Sequence, residues 1–146
     1  MRLNIFLYSF LLLCSTCVAK ADGDDIRKLK AMLINMSKEY SECAAIFLNF
    51  AMVAERTRGD SAELKDLQQK TYDTMFAAKK IGEMAGLTPE ATKDKIAKIY
   101  EDFNKELTQG NNQDKYINLG LKCKKMAEKP DEYLQSMKSS YGLQKY

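Results

Sequence analysis

The chain has no histidine, no tryptophan and only 2 prolines among its 146 residues. Without histidine it lacks the usual general base at neutral pH and the commonest transition-metal ligand. Ser-His-Asp triads, Cys-His dyads, c-type haem attachment and His-containing zinc sites are therefore excluded. Carboxylate metal centres in helical bundles rely on Glu-x-x-His, which this composition cannot supply. No Gly-rich phosphate loop or nucleophile elbow takes their place. Pairs such as Glu39 with Glu42, or Glu101 with Glu106, have the spacing of ordinary solvated helix carboxylates. The expectation is a protein that is not an enzyme and carries neither cofactor nor metal.

What is present begins with a targeting segment. Arg2 and Asn4 precede an apolar run from Ile5 to Leu13, and Ala19-Lys20-Ala21 offers small residues at the two positions that signal peptidase reads. Cleavage after Ala21 is expected, with Cys17-Val18-Ala19 as a poorer site. The run is too short for a membrane span of about 20 apolar residues. Leu11-Leu12-Leu13 lacks the small residue that precedes a lipidated cysteine, which argues against acylation at Cys14. The expected organisation is a signal peptide over residues 1–21 and one domain over residues 22–146, exported to a periplasm or secreted. Loss of Arg2 and Lys20 leaves 21 basic against 20 acidic residues, a net charge of +1. Such a balanced chain has no global attraction for nucleic acid, and no stable membrane insertion is expected after processing.

Cys14 and Cys17 leave with the leader, so Cys43 and Cys123 are the remaining thiols. An exported chain meets an oxidising compartment, and one disulfide is expected. Closing so long a loop is worth on the order of 4 kcal/mol in the chain-entropy model. Both residues lie inside apolar helical patterns, whereas catalytic dithiols are close in sequence at a helix N-terminus.

The hydrophobic pattern is helical throughout. Ile26, Leu29, Leu33, Met36, Tyr40, Cys43, Phe47, Phe50 and Ala54 alternate at three and four, the stripe of a long helix stopped by Gly59. Asp22, Asp24 and Asp25 at its start, and Arg56 and Arg58 at its end, complement the helix dipole. Asp60 with Glu63 has the spacing of a capping box, and the second stripe runs from Leu64 to Ala85. Leu87-Thr88-Pro89 supplies a staple residue, an N-cap and a first-turn proline. Ile96, Ile99, Phe103 and Leu107 then mark a third helix, and Tyr116, Leu119, Cys123 and Met126 a fourth. Lys129-Pro130-Asp131 opens a short fifth with Tyr133, Leu134, Met137 and Tyr141. Short connections favour antiparallel neighbours. The predicted fold is all-α, an antiparallel up-and-down helical bundle of four main helices plus a short C-terminal fifth, with the first and fourth helices adjacent and bridged by Cys43 and Cys123.

Ten of the eleven residues from Ala44 to Ala54 are apolar. Ile46, Leu48, Met52 and Val53 lie off the stripe and need a second cover, which is the fifth helix folding back, a second subunit or a ligand. They form the candidate interface. Ala78, Gly82 and Gly86 make a small-residue row suited to close helix packing, or to a pocket lined by Met36, Tyr40, Met75 and Phe103 that would take an apolar guest. Lys122, Lys124, Lys125 and Lys129 make the fourth helix basic, a solvated face or a site for an anionic partner. Leu87-Thr88-Pro89-Glu90 resembles the Leu-Thr motif of Spy/CpxP-type periplasmic chaperones, which are small, exported and helical. Ala91 stands where that pattern continues with glutamine, and capping accounts for the same residues, so no functional residue is carried over.

These observations lead to the expectation of a small exported, disulfide-braced protein that acts by protein–protein interaction, as an inhibitor, immunity factor or envelope accessory protein. Its partner is an unidentified protein or a second copy of itself. The alternative is a carrier of an apolar small molecule or lipid in a helix-lined pocket.

Overall fold

A computed structural model describes residues 23–110 and 112–143; the expected leader lies outside them. The described residues form five helices and no strand: α1 (Gly23–Arg58), α2 (Ala62–Met84), α3 (Pro89–Thr108), α4 (Gln113–Glu128) and α5 (Pro130–Ser140). None is long and apolar enough to cross a membrane.

Local chemistry sets the helix ends. Gly59 takes a positive φ of 61° after α1, the conformation glycine adopts without a Cβ penalty. The N-cap of α2 is Ser61, whose hydroxyl accepts from the Leu64 N–H at 3.2 Å. The expected Asp60/Glu63 capping box is therefore displaced by one residue. Asp60 instead pairs with Lys65 at 3.2 Å, and Glu63 pairs with Arg58 across the turn. Thr88 caps α3 as expected, accepting from the Ala91 N–H at 3.1 Å with Pro89 in the first turn. Between α2 and α3, Gly86 sits at φ 87° and the Leu87 N–H donates back to the Gly82 carbonyl at 2.8 Å. That closes a Schellman turn and brings α3 back antiparallel to α2.

α1 has 36 residues, about 54 Å at 1.5 Å per residue, and every other helix packs against it. From Glu39 to Met52 none of its residues is exposed. The all-apolar stretch is thus a central helix. Ser37 donates to the Ala78 carbonyl at 2.9 Å, which shows how closely α1 and α2 approach. Small residues permit that approach: Ser41, Ala44 and Ala45 on α1 and Ala77, Ala78 and Gly82 on α2 are all buried. On another side α4 runs antiparallel to α1, registered by Cys43 with Cys123 and by Phe50 against Gly120.

The two helix-interior glycines differ in what surrounds them. A Cβ at Gly82 would lie 2.9 Å from Thr92 Oγ1 and 3.0 Å from Ser37 Oγ, both buried and hydrogen-bonded to backbone. A Cβ at Gly120 would lie 2.8 Å from Cε2 of Phe50, a half-buried ring that can swing outward. Alanine recovers about 1 kcal/mol of helix propensity at either site, whereas overpacking a fixed contact costs about 1–3 kcal/mol. Gly82→Ala is expected to lower stability and Gly120→Ala to leave it equal or raised. Urea unfolding of the two variants checks the difference.

Candidate functional site

Three faces of α4 have different surroundings. Tyr116, Cys123 and Met126 point into the core, with Leu119 half-buried beside them. Cys123 is bonded to Cys43 with a Cα–Cα distance of 5.2 Å, and the Met126 sulfur lies 3.8 Å from Cys43 Sγ. Phe103 of α3 meets the Tyr116 ring edge-on at 4.9 Å, a favoured aromatic geometry. The Tyr116 hydroxyl donates to Glu106, which also accepts from Lys115 at 3.1 Å. These donors, the Tyr116 hydroxyl first, hold the Glu106 carboxyl below the usual range.

A second face carries Lys122, Lys125 and Lys129 at spacings of three and four. Lys129 both closes α4 and opens α5. Its N–H donates to the Lys125 carbonyl at 2.9 Å, and its own carbonyl accepts from the Tyr133 N–H at 3.2 Å. Pro130 follows in the first turn of α5, where no N–H is required. The chain changes direction at this one residue, and the two helices flank a cleft of about 220 Å³. Lys122, Lys125, Met126, Lys129, Glu132, Tyr133 and Ser136 line it.

Glu39 of α1 ties both helices to the core behind the cleft. It pairs with Lys122 at 2.7 Å, and accepts from the Tyr133 hydroxyl at 3.2 Å and the Asn35 amide at 3.4 Å. Burial, and then the Glu39 charge, push the Tyr133 phenol well above its ordinary value. Lys129 pairs with Glu132 at 2.7 Å; that bond raises the Lys129 pKa and lowers that of Glu132. Lys125 has no ion pair and Ser136 no side-chain hydrogen bond among the described residues.

The third face is apolar and open. Ile117 and Leu121, one turn apart, are 57% and 61% exposed. Val53 of α1, 58% exposed, lies one turn beyond Phe50 toward the same end of the bundle as Ile117, which lies one turn from Gly120.

The expected interface group is therefore divided. Ile46 is fully buried core, Leu48 and Met52 are half-buried, and only Val53 stands in solvent. The Tyr100 hydroxyl of α3 reaches the Met52 sulfur at 2.6 Å. The fifth helix docks earlier along α1, where Tyr133 meets Glu39 and packs edge-on against Tyr40 with ring centroids 5.7 Å apart. Among the expected pocket residues, Met36 and Tyr40 are closed off in the core, Phe103 is buried and Met75 is half-buried on α2. The Tyr40 hydroxyl has no hydrogen-bond partner among the described residues, and burial pushes its pKa well above the ordinary tyrosine value. No group of three or more residues able to hold a metal occurs among the described residues.

Sequence reasoning named the lysines of α4 but not the cleft. The available signal was the identical spacing on the two helices, with 122, 125, 126 and 129 on one and 129, 132, 133 and 136 on the other, hinged at Lys129-Pro130. No family model, curated protein or solved structure matches the chain.

The raised tyrosines make stability fall in alkali. Tyr40, Tyr116 and Tyr133 all have folded-state values above the ordinary 10.0. Above that pH the unfolded chain releases protons that the folded chain retains. Their contribution is complete below pH 10 and is lost as pH rises through the folded values. Glu106 acts oppositely: its contribution is present above 4.5 and is lost as pH falls through its depressed folded value. Tyrosinate absorbance is expected to develop later in the folded protein than in urea, together with declining unfolding free energy above pH 10.

Proposed function

We propose that this is an exported, disulfide-braced binding protein that acts by protein–protein contact, and that the outward apolar face of α4 is the docking surface. The observation that carries the reading is the outward pair Ile117 and Leu121, one turn apart on α4 and each more than half exposed, with Val53 of α1 exposed as well. Binding rather than catalysis is favoured because the sequence has no histidine and no catalytic motif.

The partner that suits this surface is a second copy of the chain. Along α4 the outward residues run Asp114, Ile117, Leu121, Lys124. They are symmetric about position 119, with the apolar pair inside and opposite charges outside. An antiparallel pairing of two α4 helices about a twofold axis would set Ile117 against Leu121 of the second copy, and Asp114 against its Lys124. That is the self-complementarity an isologous dimer requires. The pairing asks Lys124 to leave only a loose contact with Glu128 at 3.9 Å, both groups being exposed. A net charge of +1 for residues 22–146 offers little repulsion between copies.

Sedimentation equilibrium of the oxidised protein is expected to show a monomer–dimer equilibrium. Leu121→Glu should yield monomer. Lys124→Glu should weaken the dimer by about tenfold, and the double exchange Asp114→Lys with Lys124→Glu should restore it. A monomer at all concentrations, or a dimer insensitive to Leu121→Glu, rejects this surface.

A further inference from the structure

We propose that the cleft between α4 and α5 binds a small amphipathic monoanion, an aromatic or short aliphatic carboxylate, with its charged end at Lys125 and Ser136 and its apolar body on Met126 and Tyr133.

The charge balance of the cleft sets the valence of the ligand. Lys122 is occupied by Glu39 and Lys129 by Glu132, at 2.7 Å each. Lys125 is the lining cation without an ion pair among the described residues, so the site carries an excess of one positive charge. The two engaged lysines are already balanced by carboxylates and add little net charge for a second anionic group. Ser136 of α5 also lines the cleft and offers a hydroxyl that makes no hydrogen bond within the described residues. An ammonium and a hydroxyl suit the two oxygens of one carboxylate.

The remaining lining sets the chemistry of the body. Met126 is a buried, adaptable thioether beside the disulfide. The Tyr133 ring is held by its hydroxyl on Glu39 and by its edge contact with Tyr40, so it presents a fixed surface. Inorganic phosphate would make no use of the Tyr133 ring, and a neutral guest would leave the excess positive charge of the cleft unbalanced. At about 220 Å³ the cleft is smaller than the ~300–1,000 Å³ of sites for drug-sized ligands. It fits one ring or a short chain. This inference is independent of the outward face of α4, since Ile117 and Leu121 do not line the cleft.

Residue-resolved NMR titration of the oxidised protein with sodium benzoate, benzamide and sodium phosphate tests it. Benzoate is expected to give saturable shifts at Lys125, Met126, Lys129 and Ser136. Benzamide and phosphate are expected to give none at the same concentrations. Lys125→Gln should weaken benzoate binding by about tenfold or more. The exposed Lys98→Gln on α3, which removes the same charge elsewhere, and the surface variant Leu121→Glu should leave it unchanged. Circular dichroism reports that each variant is folded. Equal response to benzamide or to phosphate, no saturable shift with benzoate, or equal weakening by Lys125→Gln and Lys98→Gln overturns the proposal.

Discussion

A helix with apolar or small side chains on every side must be enclosed, and the enclosure of α1 governs the placement of everything else. Over its roughly four turns from Glu39 to Met52 no residue of the helix is more than partly open to water. Fully burying a side chain such as Ile46 or Phe47 is worth about 1.5–3 kcal/mol relative to exposure, so the stretch can be satisfied only by several helices at once. α2 covers the small-residue side, α3 reaches Met52 through Tyr100, and α4 and α5 meet the side carrying Cys43, Glu39 and Tyr40. Each outer helix can then keep a mostly polar exterior, since its own stripe needs to match only one side of a shared central rod.

The polar groups inside this packing are nearly all satisfied within their own helix. Ser41 donates to the Ser37 carbonyl, Asn49 to Ala45, Thr71 to Leu67, Thr74 to Lys70 and Thr92 to Thr88. Bonds of this kind avoid the cost of a buried unpaired hydroxyl without requiring a partner on a neighbouring helix. Ser37 differs, because it bonds across to Ala78 and fixes the relative height of α1 and α2. Tyr40 differs more. Its ring is fully buried against Tyr133 while its hydroxyl stays unpaired among the described residues. Glu39, the adjacent residue, takes the Tyr133 hydroxyl and Lys122.

The helices, their stripes and the disulfide were legible because they depend on short-range regularities. Spacings of three and four, glycine stops, and the Thr88-Pro89 start each carry a local physical meaning. The capping residue before α2 was misplaced by one because both Asp60 and Ser61 are good N-caps, and the choice falls to the ion pairs Asp60–Lys65 and Arg58–Glu63 across the turn. The off-stripe residues of α1 were harder. Periodicity shows that Ile46 and Val53 both need cover, but they sit two turns apart on a helix longer than its neighbours. Ile46 falls where the outer helices converge, and Val53 faces outward although the next residue, Ala54, is buried with Leu64 of α2. The cleft was out of reach for a related reason. Lysines at 122, 125 and 129 read as a solvated face until Lys129-Pro130 is known to set α5 beside them, with Glu132 and Tyr133 in reach.

The bond between Cys43 and Cys123 encloses 80 residues of sequence separation. Three of the four inter-helix connections, at 59–61, 85–88 and 109–112, fall within that span, and only the single-residue link at Lys129 falls outside. Each of these turns carries exposed residues, Gly59 and Asp60, Gly86 and Thr88, and Gln109 and Gly110, and exposed loops are where proteolytic nicking concentrates. A cut in any one of them would leave two fragments still joined through sulfur, each holding part of α1 or its covering helices. Nicked molecules would keep the mass of the intact chain, apart from added water, until a reductant separated the pieces. Surface cleavage and loss of the molecule thereby become two separate events.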